Sequence, residues 1–549
     1  MTEADRSRGL VLFGGPIVTA DPAHPRAAAL GFVGDRIVAV GDLDLVVAAL
    51  PPDAERIDVA GRTVVPGFID AHNHYLATAE SFAAIPLRDV TSIAELVSRV
   101  DAVAERTEPG RWIKGMGIEW SALSEGRLPT RHDLDEVARE HPVLLEHVSG
   151  HAVLVNSRAL AVRTVAEDAP DPAGGTFDRD ARGRLTGIVR DGATNLILGP
   201  SVDIGHHGPN FHVELAVEEG VHLLEAAAPR YAAAGITAIG DPQVTRRELG
   251  VYREAVARGI AGPRIAAMPL SNQLPALESL GIVGPIGDDD LRITGLKLYT
   301  DGAITAGTAV FSDGLGPSRS RGTLYHEPPI FHELIRRAHA DGWQLAIHTM
   351  GDAAHEIMLD GVEAAMRAHP REDARHRIEH GTFPTVEQQR RIASLGMTPV
   401  TQPGSVRELG DVWVRQLGER VHRVMPLQSM RALGIRPAIS SDAFVQSYRP
   451  LDTVSAATFR VTPAGLRVGP EEELAIEEAI VSHTIDAACA LRWDDRLGSL
   501  SAGKLADVAV IDGDLFATSP EQIGSLEMWL TIQGGRIVHD RRSAAARAG

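Results

Sequence analysis

The sequence predicts an α/β protein: a (β/α)8 barrel of the TIM type, with a composite β-sandwich from both termini and a large insertion after strand one. Three observations support this fold class. Short β-branched runs separated by Gly, Asp and Pro fill residues 1–63 and return in residues 490–549. Between them, residues 64–489 alternate apolar strands with amphipathic helical segments. Residues 76–210 interrupt that alternation.

The two ends of the chain contain similar short segments. "GDRIVAVG" (Gly34 to Gly41) is echoed by "GGRIVHD" (Gly534 to Asp540). Because short edge strands alone are poorly stable, we expect both ends to contribute strands to one small β-sandwich.

The central region contains eight strand candidates, the number that a (β/α)8 barrel requires. They are Val64–Asp70, Ile236–Gly240, Arg264–Met268, Ile293–Tyr299, Gln344–His348, Arg377–His380, Met397–Gln402 and Arg436–Asp442. Residues 76–210 contain strand and helix patterns of their own, and a structureless loop of that length is implausible. We therefore expect an inserted subdomain over the barrel mouth.

Composition excludes several partners. The chain has 549 residues and a net charge of −19, which argues against binding to a nucleic-acid backbone. No apolar stretch reaches the ~18 residues of a membrane span. Cys489 is the single cysteine, so no intrachain disulfide can form. With no secretory signal pattern at the N-terminus, we expect a cytoplasmic protein.

Six side chains of metal-ligand type fall at the ends of predicted strands. They are His72, His74, Lys297, His348, His380 and Asp442. Active groups of such barrels sit at the carboxyl ends of the strands, so these six would converge at the barrel mouth. Taken singly, each residue has a simpler structural explanation: a histidine can belong to the core, a lysine can be solvated, and an aspartate can cap a helix. Their coincidence at strand ends predicts a metal site. Four other histidines lie in predicted loops or on helical faces, and we expect them at the surface: His326, His332, His339 and His355.

A family resemblance rests on six motifs spread over the chain. They are "PGFIDAHNH", "GLKLYTDGA", "IHTMGDAA", "RIEHG", "ISSDA" and "GSLSAGKLADVAVID". Together they resemble the amidohydrolase superfamily, and most of all its family-3 branch of YtcJ-like metal-dependent hydrolases. "SGHAVLVNSRAL" in the insertion extends the resemblance.

The resemblance implies a role for each residue. His72, His74 and Asp442 look like ligands of one divalent ion, most simply Zn²⁺. Lys297, carboxylated on its side-chain nitrogen (N6-carboxylated), would bridge to a second ion held by His348 and His380, so that one or two ions are expected. Asp442 is the predicted catalytic acid–base that moves a proton from water to the leaving nitrogen.

Further roles are predicted outside the ligand set. His151 and Asn156 are predicted to bind substrate, with the alternative that they order the insertion. Trp120, or Trp112, is predicted to line an apolar acyl or aryl pocket. Asp301 and Asp352 are predicted to orient the ligand histidines.

The predicted activity is hydrolysis of a C–N bond in a small molecule: an amide, N-acyl compound, formamide, urea or cyclic amide. Three alternatives remain open: a lactone or ester hydrolase, a deaminase of the same superfamily, and a non-catalytic relative acting as a regulator. A deaminase is disfavoured because "IHTMGD" offers no glutamate near His348 and leaves Lys297 without a purpose. A homodimer is expected by analogy alone.

Overall fold

The computed structural model describes residues 9–120, 123–172, 174–198, 204–212, 214–260 and 262–542. These residues form a mixed α/β fold with four sheets. The α/β class predicted from the sequence is therefore confirmed.

An eight-stranded sheet, here called the terminal sheet, joins the two ends of the chain. Its strands are Gly9–Val18, Arg26–Val33, Arg36–Gly41, Glu55–Asp58, Thr63–Pro66, Val508–Ile511, Met528–Gln533 and Arg536–Asp540. The ends meet where Val508–Ile511 runs antiparallel to Thr63–Pro66. Leu12, Val64 and Val510 are fully buried in one apolar cluster, so strands from both ends share a core.

A second sheet has six strands within residues 76–210 and is here called the inserted sheet. Its strands are Ile85–Pro86, Ile113–Ile118, Val143–His147, Ala152–Val155, Gly175–Arg179 and Leu185–Asp191. Its own apolar cluster includes Leu96, Leu134 and Leu154, all fully buried. Residues 76–210 thus have internal structure, as their sequence pattern indicates.

Two five-stranded sheets carry the remaining strands. The first parallel sheet contains Phe68–Asp70, Ile236–Val244, Arg264–Pro269 and Leu291–Ile293, with Ile286–Gly287 antiparallel at its edge. The second parallel sheet contains Gly295–Tyr299, Gln344–Thr349, Arg377–His380, Thr398–Thr401 and Ala438–Ile439.

The two parallel sheets meet at both edges. A parallel bridge joins Leu270 to Lys297, and another joins Asn73 to Ala443. At the second junction the Asp442 N–H donates to the His72 carbonyl oxygen over 2.8 Å. The segments that follow the first and last strands therefore lie side by side.

Helices separate most strands of the parallel sheets, as the sequence predicts. The helices are Leu43–Ala48, Tyr75–Ser81, Ile93–Ala104, Arg131–Asp135, Ser157–Val162, Asn195–Leu198, Val217–Ala233, Arg246–Ala257, Leu274–Leu280, Pro328–Ala340, Asp352–Ala368, Val386–Ser394, Gly404–Leu417, Leu427–Ala432, Pro450–Thr458, Ile476–Ser482 and Ile485–Ala490. Within the described ranges, no helix combines the length and apolarity needed to cross a membrane.

Two predicted strands are wrong as single elements. Val64–Asp70 divides at Gly67 into Thr63–Pro66 of the terminal sheet and Phe68–Asp70 of the first parallel sheet. The backbone turns there because the Gly67 N–H donates to the Asp507 carbonyl oxygen, while Thr237 packs against the glycine. Ile293–Tyr299 divides at Thr294 in the same way, between the two parallel sheets.

The surface assignment also fails for two histidines. His339 and His355 are fully buried. His339 shares a hydrogen bond with His376 over 2.8 Å, and His355 bonds the Gly351 carbonyl oxygen over 2.7 Å. Both lie on helix faces that pack inward, which a loop or helix assignment alone does not reveal.

Candidate metal centre

Lys297 is placed by strand alternation. On Gly295–Tyr299, Leu296 and Leu298 point into an apolar cluster, so Lys297 and Tyr299 point to the opposite face. Lys297 is fully buried, and its Nζ lies 4.5 Å from the centre of the Tyr299 ring. Nζ has no hydrogen-bond partner among the described residues. Burial lowers the pKa of Lys297 to about 8, although Glu379 and Asp442 oppose the shift.

His72 and His74 lie just beyond the strand Phe68–Asp70 rather than within it. Their rings are perpendicular, with centroids 5.3 Å apart. The Nε2 atom of each ring lies 3.3 Å from Asp442 Oδ1. The two imidazoles therefore converge on one carboxylate oxygen.

His380 and Asp442 depend on unusual backbone conformations. His380 has φ of 68° and Asp442 has φ of 55°, in the left-handed region that few residues other than glycine adopt. Regular alternation would send the His380 ring to the face of Ile378, which packs in an apolar cluster. Instead the ring lies 4.9 Å from His72 and 4.5 Å from His348, centroid to centroid.

These side chains form one buried group. One ligand atom each from His72, His380 and Asp442 lie within 4.8 Å of one another. His348 extends the group through its contact with the His380 ring. All six predicted ligands are brought together in this region of the molecule, at the ends of strands from both parallel sheets.

Each of the four imidazoles has one ring nitrogen close to an oxygen of a neighbouring group. The partners are Glu379 Oε2 for His72 Nδ1 (2.5 Å), Asp241 Oδ1 for His74 Nδ1 (3.5 Å), the Gly302 carbonyl oxygen for His348 Nε2 (3.1 Å) and Gln402 Oε1 for His380 Nδ1 (2.8 Å). For His72, His348 and His380 such a partner fixes the ring orientation and leaves the other nitrogen as an electron-pair donor.

Glu379 is the most deeply set of these partners. It is fully buried and accepts hydrogen bonds from Arg377 Nε (2.7 Å) and Nη2 (2.8 Å), besides its contact with His72. The Arg377 Nη2 group also donates to the Ala71 carbonyl oxygen. One arginine thus orients the carboxylate that orients His72.

The charge balance of the group favours an ionised carboxylate. Burial alone would raise the pKa of Asp442, but His72, His74 and His380 outweigh it and hold that pKa well below its usual value. Burial would likewise lower the pKa of His74, but Asp241 and Asp442 raise it to about 8. Burial lowers the pKa of His380 to about 4 and that of His348 well below its usual value.

Sequence reasoning missed four positioning residues: Glu379, Asp241, Gln402 and Asp70. Asp70 accepts hydrogen bonds from the backbone and side chain of Ser441 and from Asn73, which ties together the segments that carry His72 and Asp442. Burial raises the pKa of Asp70 to about 6. The sequence signal that could have identified Asp70 and Glu379 is a charged residue inside an apolar strand, as in "GFID" and "RIEH".

His151 reaches the site from the inserted segment. Its Nδ1 lies 3.0 Å from Asp191 Oδ1, and its ring centroid lies 5.9 Å from that of His348. It lines the cavity described below. Its predicted contact with substrate agrees with this placement.

The contacts of Asn156 favour the alternative, that it orders the insertion. Its Oδ1 accepts from the backbone of Val143 and Ala159, and its Nδ2 donates to the carbonyl oxygens of Ala138 and His141. With its hydrogen bonds directed to this backbone and no exposure, it does not line the cavity.

Trp120 also lies away from the cavity. It packs in the apolar core of the inserted segment, with its ring 4.4 Å from that of His147. Trp112 packs against another cluster of the same segment. The aromatic residues of the cavity wall are instead Phe211, Trp413 and Phe444, together with Tyr299.

Asp301 and Asp352 hold loops. Asp301 accepts backbone hydrogen bonds from Val310, Met350 and Gly351, and lies 4.0 Å from His348 Nε2. Burial raises the pKa of Asp301 to about 7. Asp352 accepts from the Ser312 backbone N–H (3.0 Å) and hydroxyl (2.5 Å). Asp301 thus supports the loop after His348, whereas Asp352 holds the backbone at Ser312.

A cavity of about 60 Å³ opens beside the imidazole group. Its lining combines polar groups, namely the ligand candidates and His151, with apolar and aromatic side chains. Apolar side chains in such a lining exclude water from a reacting group.

The donor set fits a divalent ion. Imidazole nitrogens and a carboxylate are the ligands that Zn²⁺ and related ions prefer. Lys297 Nζ is an orphaned polar atom buried in the same place, as expected of a group that carries an added ligand. An α/β fold with this donor set at its strand ends is the arrangement of a metal-dependent enzyme.

Comparison with known proteins supplies the family. The sequence profile described as "Amidohydrolase family" matches residues 55–539. The chain belongs to the amidohydrolase family.

Two relatives and one solved structure illustrate the match. The N-substituted formamide deformylase of Arthrobacter pascens is 32% identical over 97% of this chain and 99% of its own length. The putative amidohydrolase YtcJ of Bacillus subtilis is 27% identical over 89% of this chain and 91% of its own. The crystal structure of an uncharacterized metal-dependent hydrolase from Pyrococcus furiosus superimposes with a TM-score of 0.72 at 27% identity, covering 93% of this chain and 100% of that one. The chain is a metal-dependent hydrolase of C–N bonds, with a small molecule as substrate.

Proposed function

We propose that the protein hydrolyses N-substituted formamides to formate and the corresponding amine. The observation that carries this proposal is the buried group of imidazoles and a carboxylate beside a cavity with apolar side chains in its lining, which suits a small amide with an apolar substituent on nitrogen. The full-length similarity to a deformylase of N-substituted formamides supports it. The apolar wall, which includes Phe211 and Phe444, would receive the substituent on nitrogen.

We further propose that the two parallel sheets close into one (β/α)8 barrel. The bridges from Leu270 to Lys297 and from Asn73 to Ala443 support closure at both edges. In this division, residues 64–489 are the barrel with 76–210 inserted, and residues 1–63 and 490–549 form the β-sandwich. Gly67 marks the passage from sandwich to barrel.

The residues that would hold metal are those brought together by the fold. His72, His74 and Asp442 would hold one ion; Lys297, in N6-carboxylated form, with His348 and His380 would hold a second. Bound divalent metal supplies Lewis acidity toward the carbonyl oxygen and lowers the pKa of water. Zn²⁺ is the proposed ion because three or more imidazoles dominate the set.

Asp442 is the proposed proton carrier. Its carboxylate stays ionised and faces the cavity, so it can accept a proton from the attacking water. It then returns that proton to the leaving nitrogen as the C–N bond breaks, which balances the reaction as amine plus formic acid. Orientation of Asp442 comes from its backbone bond to His72.

The test combines metal analysis with a substrate panel. We expect about two divalent ions per chain in the wild type, fewer in Lys297→Ala with loss of turnover, and no change in Lys114→Ala, a lysine in the inserted sheet. Elemental analysis measures the ions. One ion with an unaffected Lys297→Ala variant would contradict the proposed role of Lys297.

The panel contains N-alkyl formamides, the matching acetamides and the matching formate esters. We expect the formamides to be hydrolysed with the highest kcat/KM among the amides, in line with the full-length similarity to the N-substituted formamide deformylase. A preference for acetamides, or turnover of esters alone, would contradict the proposed substrate.

A further inference from the structure

We propose that His151 recognises the N–H group of the scissile amide, and that Asp191 and Tyr325 position it for that contact. This inference rests on the proposed function and deepens it. It makes the protein selective for amides with one substituent on nitrogen, over N,N-disubstituted amides and esters. The argument depends on which ring nitrogen of His151 carries hydrogen.

Asp191 and Tyr325 surround one nitrogen of His151. Asp191 Oδ1 lies 3.0 Å from His151 Nδ1, and the Tyr325 hydroxyl lies 3.1 Å from the same carboxylate oxygen. The hydroxyl also lies 3.2 Å from Nδ1. All three residues are at most 5% exposed. A buried triad with this geometry has few alternative arrangements.

The hydrogen on His151 follows from its partners. An ionised carboxylate can only accept, so a 3.0 Å contact with Asp191 requires hydrogen on Nδ1. Burial raises the pKa of Tyr325 well above its usual value, so its hydroxyl keeps its proton and donates to Asp191. If the hydroxyl donated to Nδ1 instead, the carboxylate would be left buried without a donor, which is costly. An imidazole that holds a single hydrogen therefore carries it on Nδ1 and presents Nε2 as an acceptor.

Nε2 is the free end of the ring. Among the described residues Nε2 makes no hydrogen bond. It is also absent from the fully buried atoms that lack a partner, so it keeps some exposure, and His151 lines the cavity. The neighbouring His348 ring places this atom beside the proposed ligands. An acceptor here matches the N–H of a secondary amide whose carbonyl faces the ligand group. An ester oxygen or a tertiary nitrogen offers no hydrogen to it.

The backbone also holds this arrangement. Asp191 has φ of 48° and ψ of −129°, a backbone conformation that residues other than glycine rarely adopt. Its N–H donates to the His151 carbonyl oxygen over 2.8 Å. The two residues are thus joined through both backbone and side chain, and the inserted sheet presents them as a unit.

The experiment compares isosteric substrates in matched variants. The measured quantity is kcat/KM for an N-alkyl formamide divided by kcat/KM for the formate ester of the same alkyl group. Within each variant this ratio cancels general damage to the site. We expect His151→Asn to lower the ratio by about tenfold, the factor that one lost hydrogen bond of about 1.4 kcal/mol produces. His141→Asn, a histidine of the same inserted segment outside the cavity, should leave the ratio unchanged.

Asp191→Asn provides the second variant. Its carboxamide can donate to Nδ1, which allows the ring to carry hydrogen on Nε2 instead, as happens when a triad aspartate is replaced elsewhere. The ratio should fall at least as far as in His151→Asn, because Nε2 would then favour the ester oxygen. Tyr325→Phe should lower it less. Circular dichroism verifies folding.

The outcomes separate the two proposals. A wild type that hydrolyses no formamide would overturn the proposed function. A wild type that hydrolyses formamides, with the same amide-to-ester ratio in His151→Asn and Asp191→Asn, would overturn this inference alone. Equal losses on both substrates would assign the triad a structural role.

Discussion

At the scale of single residues, Glu379 determines how His72 can act. Its carboxylate accepts from His72 Nδ1, so the Nε2 atom that faces Asp442 is left without hydrogen. The two hydrogen bonds from Arg377 keep the carboxylate in place and balance its charge. A buried pair of this kind contributes orientation more reliably than it contributes stability.

Glu379→Gln should therefore weaken metal binding. The amide can turn its NH2 group toward His72 Nδ1, which then has to accept, so that the ring hydrogen moves from Nδ1 to Nε2. We expect the affinity for divalent metal to fall by about 10- to 100-fold, the usual effect of losing such a partner. Competition with a chromophoric chelator measures it. Glu387→Gln, an exposed glutamate that pairs with Arg390, is the control. Equal affinities in both variants would mean that Glu379 is not needed to orient His72.

Residue types at strand ends could be predicted from the sequence, but backbone conformations could not. Lys297 and His348 follow from alternation along regular strands. His380 and Asp442 take their positions from left-handed φ values, and nothing local in "RIEHG" or "ISSDA" specifies these. Glu379 was overlooked because its role depends on His72, which is distant in sequence.

At the scale of elements, Gly67 separates two strands that the sequence presents as one. A Cβ atom at this position would lie 2.3 Å from Thr237 Oγ1 and 2.5 Å from Thr237 Cγ2. Gly67→Ala should therefore lower the free energy of unfolding by about 2 kcal/mol or more through overpacking. Urea denaturation measures it.

Thr237→Ala is the matched second change. It removes both of the closest atoms and leaves the Thr237 Cβ position at 3.0 Å. In the Gly67→Ala/Thr237→Ala double variant we expect part of the lost stability to return, since the two residues are in contact. Additive losses would show that the glycine is required by the backbone and not by this neighbour.

The helix Arg246–Ala257 gives a prediction about pH. Glu248, fully buried, completes its capping box with Thr245 and pairs with Arg247. Burial alone would raise the pKa of Glu248, but His212, Arg247 and Thr245 lower it to about 2. A lowered pKa in the folded state means that this stability is present above the unfolded value of 4.5 and is lost as the pH falls toward 2.

Glu248→Gln should be less stable than the wild type at pH 7 by about 3 kcal/mol, because it removes the buried carboxylate that accepts from Arg247 Nε and from Thr245. The deficit should shrink between pH 4.5 and 2, where the wild type loses the ionised carboxylate. Urea denaturation across this range measures it. Glu254→Gln, a more exposed glutamate on the same helix, should show neither effect. A deficit independent of pH would contradict the assigned charge.

Element types could be predicted from local pattern, but pairing could not. The alternation of strands and helices and the internal structure of residues 76–210 are readable as periodicity. The split of Val64–Asp70 cannot be read from local periodicity. It arises because Thr63–Pro66 pairs with Val508–Ile511, which lies far along the chain. Trp120 was misplaced for the same reason: its packing partners belong to a separate core.

At the scale of the whole molecule, the site is assembled from the two ends of the parallel sheets. Asp70 and Ser441, 371 positions apart, are hydrogen-bonded, and Asp442 follows directly. The sequence predicts which residues meet only through the expectation of a closed barrel. Zinc, carboxylation of Lys297, a cytoplasmic location and a homodimer stay predictions.

Metal binding should consequently stabilise the entire fold, since ligands from the first and last strands must stay together. An ion that binds only the folded state adds about 4 kcal/mol to the free energy of unfolding at 1,000 times its Kd. We expect a gain of this size when Zn²⁺ is returned to chelated wild type, measured by urea denaturation. Asp442→Asn, which loses the carboxylate shared by His72 and His74, should gain far less. Asp512→Asn, in an ion pair with Arg62 of the terminal sheet, should respond like the wild type. A full response in Asp442→Asn would show that this carboxylate is not needed to hold the ion.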